Sequence, residues 1–357
     1  MLKSLTAAVD LRALRALAPT KHFSYHHQAL VTLLDFDDSG QYLISAGVDQ
    51  LIQLYDVHKG AHHRDVQSQK YGAHLARFTH QGLNCLYALT AQVGAGASAD
   101  NGAANGAGTD THQIRLLNLE NKQYVRYFKG HHHQVTALEV NPVHDRFILA
   151  LVDGRVKLWD LRSSHDVGAV LAPGAQALGY DPQGQVMAVA LEDSLRLYDP
   201  RQCERGPFLE TTIAGEARLT RLEFSNTGKT VLLVTASGDH LVVDAFTGAV
   251  LTRLAAPGAD FRGFHYPTAL ATWLPCGKFV LAALATAPTE LHVFDLTRLR
   301  TLDGGVRTVK PDDNSEVTAP VALLPSPHIA KVVAFDPKLM VLASADNSVV
   351  LWQPQFD

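Results

Sequence analysis

The sequence predicts an all-β protein, a seven-bladed propeller of four-stranded sheets closed by an N-terminal strand that completes the last blade. Three observations predict it. One pattern of strand ending recurs seven times, turn-forming residues separate the strands, and the last repeat lacks a fourth strand that only the N-terminal end can supply.

The recurring ending is apolar-x-apolar, often with an aromatic residue, and usually followed by Asp. It reads "IQLYD" from Ile52, "IRLLN" from Ile114, "VKLWD" from Val156 and "LRLYD" from Leu195, then "LVVD" from Leu241, "LHVFD" from Leu291 and "VVLWQ" from Val349. The last residues are Asp56, Asn118, Asp160, Asp199, Asp244, Asp295 and Gln353, separated by 62, 42, 39, 45, 51 and 58 positions. A ground period of about 40 residues marks a repeat architecture.

Each repeat opens on an inner strand such as "VTLLDF", "VTALEV", "LTRLEF" or "VVAFD". A turn follows ("DDSG", "NPVHD", "SNTG", "LPCG") whose Gly, Asn, Pro and Asp residues set the reversal. Strands like "YLISAG" and "VKLWD" come next, then a more polar outer strand. Alternation in "VKLWD" sends Val156 and Leu158 to one face and Lys157 and Trp159 to the other. A single sheet cannot bury both faces. Seven sheets stacked around an axis bury them against their neighbours and leave only short edges.

After the seventh ending only "PQFD" remains, while "KHFSYHH" precedes the first inner strand. Residues near Lys21 to Tyr25 are therefore expected to form the outer strand of blade seven, clasping the two chain ends together. Residues 1–20 read as a short amphipathic lead-in and residues 21–357 as the propeller. Two units are stretched. A Gly/Ala/Asn/Ser-rich insertion at about 91–111, between the second and third strands of blade two, has nothing to bury and is expected to be a flexible hairpin extension. The linker from Arg298 to Pro327, with "KPDDNSEVTAP", reads as a surface excursion.

Composition narrows the function classes. The 357 residues carry a formal charge of -4, with 46% hydrophobic and 18% charged residues, a globular balance. Gripping nucleic-acid phosphates normally needs a basic face, so direct nucleic-acid binding is not expected. Cys85, Cys203 and Cys276 are far apart and form no C-x-x-C pair, which favours a reducing compartment over a disulfide framework. No apolar run approaches the roughly 20 residues that cross a bilayer, and the first residues lack the apolar core of a signal peptide.

"KGHHHQVTALEVNPVHDRFILALVDGRVKLWD" contains Gly130-His131 and, one repeat interval later, Trp159-Asp160. It resembles the repeat signature of the WD40 family. The resemblance implies that the Gly-His histidine bonds an aspartate in the turn between the second and third strands, with a link onward to the tryptophan. His131, Asp153 and Trp159 match those positions. His328, Asp346 and Trp352 form a related set in which Pro327 replaces the glycine. On this reading the histidine is a structural joint whose polar atoms are satisfied internally. Metal binding needs three or four converging ligands, and adjacent histidines on an extended loop point apart, so neither a metal nor a cofactor is expected. No phosphate-cradling loop or nucleophile elbow is present, and no catalytic residues are assigned.

The match goes beyond generic repeats. "KYGAHLARFTHQG", "NKQYVRYFKGH", "VKLWDLRS", "ERGPF" and "LEFSNTGKTVLLVTASGDHLVVDAFTGAVL" together resemble the small WD-repeat subunit shared by COMPASS, the histone-three lysine-four methyltransferase complex, and by cleavage and polyadenylation assemblies. The resemblance runs from about Leu11 to the C-terminus; the blade-two insertion and the linker before blade seven depart from it. It implies a noncatalytic nuclear scaffold whose partners are methyltransferase and 3'-end-processing subunits and the phosphorylated tail of RNA polymerase II. No basic import cluster is visible, which transport with a partner would explain.

Propeller connectivity puts the loops between blades and those between second and third strands on one rim. His26, His27, Lys70, Tyr71, Lys129, His132, Arg155, Arg262 and Tyr266 are placed there as a basic and aromatic set suited to phosphate or peptide. Solvated loop residues are the plain alternative for each. A rival reading comes from "WDLR" and "YDPR", where Asp160 and Arg162, then Asp199 and Arg201, resemble the boxes by which propellers dock on the cullin-four ubiquitin-ligase adaptor. The plain alternative is that Asp-x-Arg only pins the following turn. A third reading is a hydrolase-like propeller with histidines at a central channel.

Overall fold

Seven sheets stand in a ring, each built on four antiparallel strands hydrogen-bonded in succession from the inside outward. The computed structural model describes residues 9–67, 72–90, 113–131, 133–213, 219–235, 240–254, 270–283, 289–299 and 317–356. The inner strands, beginning at Val31–Phe36 and ending at Val332–Phe335, each touch the next, and the last touches the first. Blade three shows the plan, with strands Val135–Val140, Arg146–Leu151, Arg155–Asp160 and Asp166–Leu171 paired in order.

The alternation in its third strand is resolved as expected. Val156 and Leu158 pack with Leu178, Met187 and Val189 of blade four. Trp159 packs the other way, with Phe128 and Cys85 of blade two. Its indole lies parallel to the Phe147 ring at 6.1 Å and edge-on to Phe128 at 5.6 Å. Both faces of one thin sheet are thus buried, and the hydrophobic contribution comes from contacts between blades.

The ring closes through the N-terminal end. The closing strand is Leu17–Phe23, beginning four residues earlier than the expected Lys21 to Tyr25 and ending two earlier. It pairs with Val349–Pro354 from Leu17↔Pro354 to Phe23↔Val349, with a register shift between Pro19 and Lys21. Proline has no N–H to give a ladder, so it is tolerated here on an edge strand beside a bulge. Composition obscured the start because Pro19 breaks the strand pattern.

The lead-in contributes too. A short helix, Leu11–Arg15, is capped by Asp10, whose Oδ1 accepts from the Ala13 N–H at 2.7 Å. It buries Leu14 fully in the cluster of blades five to seven, and Arg15 donates to the Val321 carbonyl at 3.1 Å.

The blade-two insertion lies outside the described residues. The linker before blade seven differs from a plain surface excursion, because its described end is sheet. Val317–Thr318 adds a fifth, parallel strand to blade five, and Ala322–Pro325 is the outer strand of blade six. Those two elements bridge neighbouring blades.

The turns between first and second strands form a second ring, on the rim opposite the inter-blade loops. Asp37 and Asp181 each accept backbone N–H groups of their own turns, Asp37 from Tyr42 and Asp181 from Val186. Neighbouring turns are also tied together. Asn141 Nδ2 donates to the Gly184 carbonyl at 2.9 Å, and Asn226 Nδ2 to the Pro275 carbonyl at 2.6 Å. Gly184 has φ +66°, and a side chain there would collide with the Asn141 amide, so glycine is required twice over.

Candidate functional site

The histidines sort into joints and surface groups. The most complete joint is in blade one. His26 is fully buried, with Nδ1 2.8 Å from Asp49 Oδ2 and Nε2 2.6 Å from Ser45 Oγ. Ser45 Oγ lies 3.2 Å from the Tyr55 hydroxyl, whose pKa burial raises. The aspartate, the serine hydroxyl and the tyrosine satisfy polar groups that would be costly to bury alone. His26 was expected on the rim surface; the structure places it inside. It lacks a preceding glycine, and Tyr55 replaces the tryptophan. The Ser45-x-x-x-Asp49 spacing was the available signal.

Blade seven holds the predicted relay in altered form. Trp352 Nε1 donates to Ser344 Oγ at 2.8 Å, and His328 Nε2 lies 3.3 Å from the same oxygen. The Asp346 carboxylate instead pairs with Lys331 at 2.8 Å. Burial lowers the pKa of His328 and so favours its neutral form.

In blade three His131 is buried. Asp153 accepts from the Arg155 backbone N–H at 3.1 Å, and its carboxylate lies 3.8 Å from His133 Nε2 and 3.7 Å from Arg155 Nε. Pairing puts Phe147 opposite Trp159, so Leu149 stands where Ser344 stands in blade seven. The Trp159 indole N–H accordingly has no acceptor among the described residues.

On the rim with the inter-blade loops, His27, Lys129 and Arg155 are exposed. Lys70, Tyr71, His132, Arg262 and Tyr266 lie outside the described residues. Tyr25, also on this rim, stacks on His62 with ring centroids 3.8 Å apart. Lys157 Nζ donates to the Gly130 carbonyl at 2.8 Å, holding the loop that carries Lys129.

The opposite rim carries the two D-x-R pairs. Arg162 Nε and Nη2 are each 3.1 Å from the Asp160 carboxylate, and its backbone N–H donates to Asp160 Oδ1 at 2.9 Å. These bonds hold the Asp160 carboxyl below its ordinary pKa. Asp199 Oδ1 accepts from the Arg201 N–H at 2.8 Å. Both aspartates therefore close their turns. Arg162 and Arg201 also line one cavity of about 540 Å³ with Arg146, a residue with no motif to mark it.

The axis is lined by inner-strand charges. Arg77 reaches Asp35 at 3.2 Å and Glu139 at 2.5 Å, joining the first three blades, and Arg221 lies 3.5 Å from Glu223. Burial raises Asp35 to about 6 despite Arg77, and raises Glu223 as well. Among the described residues no three His, Cys, Asp or Glu side chains gather as a metal set would require.

Comparison with known proteins gives a consistent family. The WD domain, G-beta repeat profile matches residues 18–56 and 122–160. WD repeat-containing protein 82 of Drosophila melanogaster is 32% identical over 91% of this chain and 90% of its own length. The COMPASS component SWD2 of Saccharomyces cerevisiae is 31% identical over 89% of each. The Set1 complex component swd2 of Schizosaccharomyces pombe is 28% identical over 97% of this chain and 99% of its own length. With seven closed blades and relatives that match nearly end to end, the chain belongs to the WD-repeat family that includes WD repeat-containing protein 82 and SWD2.

Proposed function

We propose that the chain is the noncatalytic scaffold subunit of a Set1/COMPASS-type histone lysine methyltransferase complex and works in the nucleus. The same subunit is proposed to join cleavage and polyadenylation complexes and to link both to the phosphorylated tail of RNA polymerase II. The observation that carries the reading is the near end-to-end match to two relatives named as components of the Set1 and COMPASS complexes. The physical design supports it. Blades locked to one another hold separate loops at fixed distances, and docking on such a surface spends little free energy on ordering it.

The rim bearing His27, Lys129 and Arg155 is the proposed peptide face, with Lys and Arg suited to phosphate. Affinity purification of the tagged chain from native nuclei, followed by mass spectrometry, tests the assignment. Recovery of methyltransferase subunits is expected; recovery of the cullin-four adaptor in their place would refute it. Lys129→Glu combined with Arg155→Glu should weaken capture of a phosphorylated polymerase-tail peptide by about tenfold without moving the melting temperature. Unchanged capture removes this rim from the mechanism.

A further inference from the structure

The rim opposite that peptide face has a cavity of about 540 Å³, within the range of about 300–1,000 Å³ usual for ligand sites. Its cations are not equivalent. Arg162 is held by Asp160, yet a guanidinium has five N–H donors and Asp160 engages only two of them. His80 bridges Asp38 at 2.5 Å and the Asn141 carbonyl at 2.6 Å, and the bond from Asp38 raises its pKa to about 9, so it is charged at neutral pH. Arg201 is exposed, and among the described residues its backbone N–H bonds Asp199 while its guanidinium makes no hydrogen bond.

Arg146 differs from these. It is half-buried, and its guanidinium has no hydrogen bond or ion pair among the described residues. The carboxylate opposite it across the strand pair is Asp160, which is already bound by Arg162. A partly desolvated cation that has only a share of one carboxylate carries a desolvation cost that an incoming anion would lower. With Asp38 counted as the partner of His80, four cationic side chains (His80, Arg146, Arg162 and Arg201) face three carboxylates, Asp38, Asp145 and Asp160. Asp145 already accepts from Gln81 at 3.0 Å. Val143 and Pro200 add apolar wall.

We propose that this cavity docks an extended, acidic protein segment, with its Asp or Glu carboxylates seated on Arg146 and Arg201. A planar guanidinium pairs with a carboxylate through two parallel bonds, and the apolar wall suits the residues between the acids. The choice of a protein segment rests on the scaffold reading above; the choice of carboxylate rests on the cavity. The chain then has two docking faces, one per rim, and can hold two partners at once.

The test is fluorescence anisotropy of the full chain with a short labelled peptide of Glu alternating with Ser and Val, against the same peptide with Gln for Glu. The Glu peptide should bind saturably, and the Gln peptide at least about tenfold more weakly. Arg146→Gln and Arg201→Glu should each weaken the Glu peptide by about tenfold or more, since each removes a charge-assisted pair. If Arg146→Gln lowers the melting temperature, the exposed Arg201→Glu variant decides. Equal binding of both peptides, indifference to both variants, or no saturable binding overturns the proposal. Displacement by inorganic phosphate where acetate has no effect would overturn the carboxylate assignment. A chain that fails here but still captures methyltransferase subunits sinks this site alone; one that binds the Glu peptide as described but captures none sinks the scaffold reading alone.

Discussion

Replacing Arg77 by Met should be among the most damaging single changes near the axis, and the damage should depend on pH. Arg77 is 8% exposed and holds Asp35 of blade one and Glu139 of blade three. It also points Nε at the Leu138 carbonyl, 3.4 Å away. Met fills much of the same volume, so the change removes charge rather than packing. Two carboxylates are then left in a desolvated channel with only Arg221, a weaker influence on Asp35 than Arg77, to offset them. Breaking a buried pair by deleting one partner costs about 3–5 kcal/mol.

The pH dependence follows from Asp35. Its folded pKa of about 6 lies above the ordinary 3.8, burial being the larger cause and Arg77 opposing it. Between those values the folded state holds a proton that the unfolded chain has lost. Stability contributed by this group is therefore full at acid pH and declines as pH rises through the window, by up to about 1.4 kcal/mol per unit. Without Arg77 the folded value rises further, so the penalty of Arg77→Met grows above about pH 6 and shrinks near about pH 5, where Asp35 is protonated. Urea unfolding followed by tryptophan fluorescence measures it, because Trp159, Trp273 and Trp352 are all buried. The midpoint should fall by about 1 M or more near pH 7.5 and by clearly less near pH 5, for a slope of about 1–3 kcal/mol/M. A triple variant that adds Asp35→Asn and Glu139→Gln should recover part of the loss. An equal midpoint shift at both pH values, or one below about 0.3 M near neutrality, would refute the reasoning.

Other consequences are as specific. Ser344→Ala strips the acceptor from the Trp352 indole and the neighbour from His328 Nε2, and should cost about 1–3 kcal/mol in thermal or urea melts. Leu14→Ala, at the fully buried position of the helix that precedes the closing strand, should cost about 2–5 kcal/mol and raise protease sensitivity at the N-terminal end first. His80 is raised to about 9 chiefly by its bond to Asp38, so its contribution is full below about pH 6.5 and lost as pH rises through about 9. His80→Gln should flatten that alkaline decline in the urea midpoint.

The blade count, the closure and the order of the strands were legible because each depends on a periodic signal. Apolar alternation, Asp-rich turns and a missing outer strand repeat or fail at fixed intervals. The joints were legible only where they kept the commonest residue types. His328, Asp346 and Trp352 were read as a relay through the aspartate, but Ser344 stands between the histidine and the tryptophan and Asp346 turns to Lys331. His26 was misplaced to the rim because nothing in "KHFSYHH" distinguishes a buried imidazole from an exposed one. Its role is fixed by Ser45 and Asp49, which come from other strand ends. Arg146 was invisible for the same reason: a lone arginine acquires meaning only when two later turns bring Arg162 and Arg201 beside it.

The division between buried and exposed polar groups bears on how the molecule works. His26 spends both ring nitrogens inside the blade. His240 is fully buried and pushed down to about 4 by desolvation, so it stays neutral at physiological pH. Groups so committed fix the angles between strands and cannot exchange protons with a substrate without breaking the joint that holds them. The groups proposed above to meet outside partners, Arg155 and Lys129 on one rim and Arg146 and Arg201 on the other, are carried on or beside turns that the Asp-capped reversals hold in place. Because neighbouring turns are tied side chain to carbonyl, as Asn141 is to Gly184, one blade's loops cannot shift without moving the next. Rigidity of that kind favours recognition at two fixed faces over loop closure around a reacting centre.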